Sequence, residues 1–293
     1  MIQTKQEKAF VGVAHIVFIV MTIFAIAPFV LLISGSFTDD GAALRYGYRF
    51  WPTVFSVDAY RYLFFQWEMI GRAYAITIFV TVVGTTVSLI MASTLGYALA
   101  QRGVPGVRII TLLVVLTLLF NGGIVSTVMV YTHIFNIRNT IWALIVPNLM
   151  LSGFTVILVK NYIQSNIPPE LIEAAVADGA GQMRIYWRIA LPLSRPILAT
   201  IGLLGAIAYW NDWVNGLYFI TDPQLLSIQL LLNRINTNIR FLATHPDLAG
   251  GMDLPTISVR MAIAAVAIIP IVVTYPFFQK HFTAGIALGG VKG

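Results

Sequence analysis

The chain has 293 residues, of which 58% are hydrophobic and only 10% charged. That is far below the share of about 25% charged residues usual in soluble domains, so a soluble globular fold is excluded. Cysteine is absent, which removes a disulfide framework, a thiol nucleophile and a cysteine metal site, and the net charge of +6 is spread along the chain rather than gathered into a nucleic-acid patch.

The first apolar run, at about 11–34, follows Lys5 and Lys8. A signal peptide begins the same way, but its apolar core is only about 7–15 residues long. The longer run here is predicted to remain as an uncleaved span. In the loop 35–73, Ser56 is placed to cap a short helix with Asp58 in its first turn. Tyr60, Tyr62, Leu63, Phe64, Phe65 and Trp67 follow, an aromatic segment suited to the membrane surface.

Runs at about 74–100, 109–132, 140–160, 196–220 and 258–278 complete a set of six, each reaching the roughly 20 residues an α-helix needs to cross the hydrocarbon. Pro28, Pro147, Pro270 and Pro276 lie inside these runs and predict kinks, because neighbouring helices can satisfy the freed carbonyls. On the second run Gly84, Ser88, Ala92 and Gly96 recur every fourth residue. Such a stripe lets helices pack closely, within the chain or against another subunit.

Connector charges orient the spans. With the N-terminus inside, every lysine and the arginines at 102, 108, 184, 188 and 195 fall on the cytoplasmic side. The outer side receives Arg45, Arg49, Arg61, Arg72, Arg138, Arg234, Arg240 and Arg260, matched by as many acids. Both termini and the connector 161–195 are then predicted to be cytoplasmic.

That connector is too regular and too rich in alanine for a loose loop. Pro168 and Pro169 suit a helix entrance, and Glu170 and Glu173 favour the positive end of its dipole. Leu171, Ala174, Ala175 and Asp178 follow at helical spacing, and Gly179 can take the left-handed conformation that stops a helix. A second short helix is predicted from about 181 to 190, with Leu191 and Pro192 ending it. The product is a helix–glycine–helix elbow with a small-residue face. An amphipathic helix lying on the inner leaflet is the plainer alternative.

Mid-span positions carry almost no charge, which counts against a secondary transporter that needs intramembrane ion sites. His15, His133, His245 and His281 are scattered, and neither a metalloprotease motif nor a phosphate-binding Walker loop occurs. No catalytic or metal-binding residue is predicted. A secondary transporter or channel for a polar solute stays open as the alternative class.

Glu173-Ala174-Ala175, three residues, Gly179, nine residues, Ile189, one residue, then Leu191-Pro192 resembles the EAA loop of ABC importer permeases at every defining position. Gly96-Tyr97-Ala98-Leu99-Ala100, Asn139-Thr140-Ile141-Trp142-Ala143-Leu144, Trp210-Asn211-Asp212-Trp213 and the tail from Gln279 to Gly293 resemble the carbohydrate-importing branch. Phe120-Asn121-Gly122-Gly123 is similar to its members for complex oligosaccharides, and within these the likeness is nearest to permeases of alginate importers.

The resemblance implies an all-α membrane protein of the type I permease fold: one domain, 1–293, of six transmembrane helices with a cytoplasmic coupling-helix elbow. It would sit in the bacterial cytoplasmic (inner) membrane, among lipid, with no nucleic acid. It would form the path for an oligo- or polysaccharide, such as alginate, with a second permease. Two separate ATPase subunits would bind ATP and magnesium, and a periplasmic or extracellular sugar-binding protein would deliver substrate. Glu173, Ala174, Ala175 and Asp178 would meet the ATPase, Glu173 pairing with a basic group there. Gly179 would supply the bend, and Ile185, Ile189, Leu191 and Pro192 would complete and anchor the elbow.

For the substrate path, amides and aromatic rings suit sugar hydroxyls and faces. Asn121 beside its glycines, and Trp210, Asn211, Asp212 and Asn215 near the outer end of the fifth span, are the candidates; an interfacial aromatic belt is the rival reading. The loop 221–257, with Asn233, Asn236, Asn238 and Asp247, is the candidate for docking or guiding substrate.

Overall fold

The structure, a computed structural model, describes residues 5–101, 103–245, 257–270 and 272–273. No strand occurs among them; Thr38 and Phe55 form an isolated bridge. They fall into two compact units, one holding the described residues up to Ile70 and those of Leu232–Ile269, the other those of Gly71–Leu231 and beyond Ile269.

In the first unit, α1 (Lys5–Ser36) contains Pro28, and no residue of its most apolar stretch is buried. Such a bare apolar helix is what a bilayer, rather than water, covers. Then come α2 (Asp40–Tyr46) and α3 (Asp58–Phe65). Asp39 caps α2, accepting from the Ala42 amide at 2.9 Å. At α3 the cap position belongs to Val57 rather than Ser56, but the Ser56 hydroxyl still accepts from the Asp58 amide at 3.0 Å. Phe37 stacks on Phe55 at 5.3 Å.

The second unit is built around α4 (Trp67–Ala100), 34 residues long. Its small-residue stripe packs within this chain. A Cβ at Gly96 would lie 2.7 Å from Val159 Cγ1, on α8 (Gly153–Asn166). Ala92 and Leu99 from α4 and Val156, Val159 and Ile163 from α8 belong to one buried core.

The third apolar run is not one straight span. It divides into α5 (Val107–Leu119) and α6 (Gly123–Met129), which continues as a π turn, Val130–Ile134. The two halves meet at 117°. The break is local chemistry: Gly123 holds φ +78°, and the Asn121 side chain accepts its N–H at 2.8 Å.

The fourth run is interrupted as well. Only α7 (Trp142–Ile145) is helical before α8, which runs past the predicted boundary at 160. Pro147 has no N–H to continue a helix, and Asn148 takes φ +62°. Further along come α9 (Pro169–Ala177), α10 (Gln182–Ile185), a π turn (Tyr186–Ala190), α11 (Leu191–Leu193) and α12 (Arg195–Trp210). The fifth run ends as a helix at Trp210 and resumes in α13 (Val214–Phe219).

A 3-10 turn, Pro223–Leu225, precedes α14 (Ile228–Thr244). Much of the predicted polar loop is thus a helix. Ile228, Leu230 and Leu231 are buried on it, and Ile228, Leu231, Leu232 and Ile235 recur at the helical spacing of an amphipathic element. The last run is described as α15 (Ile257–Pro270). Asp247, Pro276 and the tail from Gln279 lie outside the described residues. Among those described, two helices are long and apolar enough to cross a membrane, or four if each bent pair counts as one.

Candidate coupling site

Pro169 stands at the first helical position of α9, with Glu170 in the opening turn. Its C-terminus closes by two hydrogen bonds. Gly179 N–H donates to the Val176 carbonyl and Ala180 N–H to the Ala175 carbonyl, both at 2.9 Å, the Schellman pattern. Gly179 has φ +78°, and a Cβ placed there would meet nothing within 4 Å. Backbone handedness alone, not lack of room, therefore favours glycine.

The two faces of α9 do different things. Ile172 and Ala175 pack against the core of their own unit. Glu173, Ala174 and Asp178 are exposed, as are Leu171 and Val176. A groove of about 670 Å³ opens beside this helix, bordered by Glu173, Val176, Gln101, Gln164 and Gln182. Exposed carboxylate, alanine and apolar groups on one short helix offer a partner both close approach and a charge to pair.

The second limb departs from the sequence expectation. Leu191 and Pro192 do not end it; the helical path runs from Gln182 to Leu193 and then bends by 77° into α12. The turn before Pro192 is a π turn, whose wider winding accommodates the missing N–H and the ring of Pro192. Ile185 is completely buried, and Ile189 and Leu191 pack on the same core, so these residues fasten the elbow to its own chain. The exposed apolar groups of this limb are Met183, Trp187 and Leu193. Tyr186 and Gln182, hydrogen-bonded to Ser93 and Tyr97 on α4, carried no signal in the sequence beyond the Gly96–Ala100 motif that contains Tyr97.

The candidate path residues are placed less uniformly. Trp210 is buried with its ring 6.4 Å from that of Tyr74. Asn215 is 2% exposed and donates to the Pro147 carbonyl at 2.9 Å. Asp212 accepts from the amides of Val214 and Asn215 at 3.1 and 3.2 Å, satisfying the first two N–H groups of α13. Asn211 is exposed, with its amide within 3.4 Å of Gln229. Asn121 is also exposed, but its side-chain oxygen serves its own turn. Asn139, at φ +54°, accepts from both Thr221 N–H and Asp222 N–H at 2.7 and 3.2 Å. It thereby ties two loops together, a role unread in the sequence.

Residues 84–287 match the model of the binding-protein-dependent transport system inner membrane component. Protein LplC of Bacillus subtilis (strain 168) is 37% identical over 92% of this chain and 90% of its own length. The polygalacturonan/rhamnogalacturonan transport system permease protein YtcP of the same organism is 36% identical over 94% of this chain and 95% of its own. Among solved structures, a chain from the crystal structure of a bacterial ABC transporter involved in the import of the acidic polysaccharide alginate superposes with a TM-score of 0.82. It is 26% identical, over 96% of this chain and 99% of that one. With this elbow, this helical fold and likeness over nearly the whole length, the chain belongs to the family of binding-protein-dependent transport system inner membrane components.

Proposed function

We propose that the chain is a permease subunit of an ATP-driven importer for carboxylate-bearing oligo- or polysaccharides, alginate being the best single candidate. It lines the path with a second, non-identical permease in the bacterial cytoplasmic membrane, both termini inside. Two separate ATPase subunits hold ATP and magnesium and seat the elbow, and an external binding protein hands over the sugar. The observation that carries this reading is the outward face of α9, where Glu173, Ala174 and Asp178 stand exposed on a helix fastened to its own core.

Acidic sugars are favoured by two relatives of different kinds, one named for polygalacturonan/rhamnogalacturonan and one for alginate. Side-chain chemistry agrees. The basic residues assigned to the outer side are all arginines, and Arg45, Arg138 and Arg240 are exposed. Guanidinium binds carboxylate through two parallel hydrogen bonds, which ammonium cannot do.

Affinity purification from the native membrane, followed by uptake in vesicles, tests the proposal. An ATPase and a second permease are expected to co-purify, and uptake to require ATP inside. Oligouronates are expected to be carried in preference to their carboxyl-reduced counterparts. Uptake driven by an ion gradient without ATP would instead make the chain a secondary transporter.

A further inference from the structure

Two routes join the elbow to the rest of its unit. The covalent one passes through Ser194 into α12 at the 77° bend. The other is a buried polar clamp onto the end of α4. The hydroxyls of Tyr186 and Ser93 lie 2.7 Å apart, and both residues are 4% exposed. Ser93 Oγ donates onward to the Ile90 carbonyl at 3.1 Å. In that arrangement Tyr186 is the donor of the pair and Ser93 the acceptor, and neither hydroxyl is left unsatisfied.

About one turn along α4, Tyr97 donates to Gln182 Oε1 at 2.9 Å, and its ring is centred 5.3 Å from that of Tyr186. Two hydrogen bonds and a ring contact thus link the same two elements. The Tyr186–Ser93 site is buried, so the loss of that bond is not made good by solvent, whereas Gln182 stands exposed at the rim. The elbow and the end of α4 are therefore held to move together.

We infer that Ser93, Tyr97, Tyr186 and Gln182 are positioning residues that pass displacement of the elbow to α4, making α4 the lever of the transport cycle. This rests on the permease reading above. At 34 residues and a rise of about 1.5 Å each, the helix is about 50 Å long. Along it, Gly84 lies directly against Tyr209, next to the break that holds Asn211 and Asp212. The lever thus reaches the candidate path residues by a route separate from the bend at Ser194.

The test uses Tyr186→Phe, Ser93→Ala and the double variant in the assembled complex reconstituted into vesicles. Each single change deletes one oxygen atom and keeps the packing. ATP hydrolysis is expected to stay within about twofold of native, while sugar moved per ATP falls about fivefold, the size of effect one buried hydrogen bond supplies. The double variant is expected to be no worse than either single, since the two residues share one bond. A merely structural role would lower both rates together and leave their ratio alone. An unchanged ratio, or losses that multiply in the double variant, overturns the inference.

A second measurement needs no sugar. Because the chain has no cysteine, Ala98→Cys and Met183→Cys can carry a pair of spin labels across the clamp. One narrow distance is expected in the native background, with and without nucleotide, and a broadened one in the double variant. A distance that is already broad in the native background, or that shifts with nucleotide, overturns the clamp. Failure of the importer reading would look different: no ATPase would co-purify, yet the narrow distance would persist.

Discussion

The ring of Tyr209 lies against the bare backbone of Gly84, so close that a Cβ added there would sit 2.5 Å from Tyr209 Cζ. Tyr209 is held in place by donating to the Ile145 carbonyl at 2.9 Å in a buried site. Gly84→Val is therefore expected to overpack this crossing and destabilise the chain by about 1–3 kcal/mol. Tyr209→Phe is expected to cost about 1 kcal/mol, with one hydrogen bond lost and the carbonyl orphaned. Melting temperatures of the purified chain in detergent check both. Equal stability of Gly84→Val and native would show that the crossing has room to yield.

At Gly179 the expectation separates size from conformation. The surroundings are open, and only φ +78° excludes side chains. Gly179→Asn is expected to keep both ATPase retention and uptake, since asparagine tolerates the left-handed region. Gly179→Val, which resists that region, is expected to lose both, and Gly179→Pro cannot adopt it at all. Retention of ATPase on the purified permease, measured with uptake, distinguishes the three; normal values for valine would remove Gly179 from the mechanism.

Glu173 is exposed in the isolated chain, so Glu173→Ala is expected to leave the melting temperature of the permease alone unchanged. Coupling to the ATPase is expected to weaken by about 1.5–3 kcal/mol, the usual size for a hydrogen bond to a charged group. Glu173→Gln, which keeps a polar oxygen, is expected to be milder. Substrate-stimulated ATP hydrolysis that matches native in both variants would leave the carboxylate in solvent.

Asn211 and Asn215 are separated by burial. Asn215→Leu is expected to destabilise by about 1–3 kcal/mol, because the Pro147 carbonyl loses its buried donor. Asn211→Leu is expected to spare stability and reduce sugar uptake. Cysteine at 211 is expected to react with a membrane-impermeant thiol reagent, and cysteine at 215 to resist it. An unreactive 211 in every nucleotide state would take Asn211 off the path.

The elbow was legible because its signals are local. Pro169 at a helix start and Gly179 at a helix end act through their own backbones, and the structure uses both as the sequence implies. The apolar runs were legible as membrane elements, but their interruptions were not. Asn121 reads as a polar group beside glycines, and only three-dimensional geometry shows its oxygen closing the turn that splits the third run. Pro147 predicts a kink, whereas Asn148 at φ +62° makes it a full interruption. At α14 the mixture of asparagine and leucine hid a helical period behind overall polarity. Ser93 gave no warning at all, since its partner Tyr186 lies 93 positions away.

The empty space around Gly179 has a consequence for stereochemistry. Because no atom lies within 4 Å of where a Cβ would stand, the position discriminates by chirality rather than by volume. A D-alanine introduced there by chemical ligation has its own backbone preference at positive φ, the mirror image of the L-residue's. That preference suits the φ of +78° at which L-alanine is strained, and it would narrow the unfolded ensemble that glycine leaves wide. The elbow could thus be made stiffer than nature's version by the addition of a single methyl group.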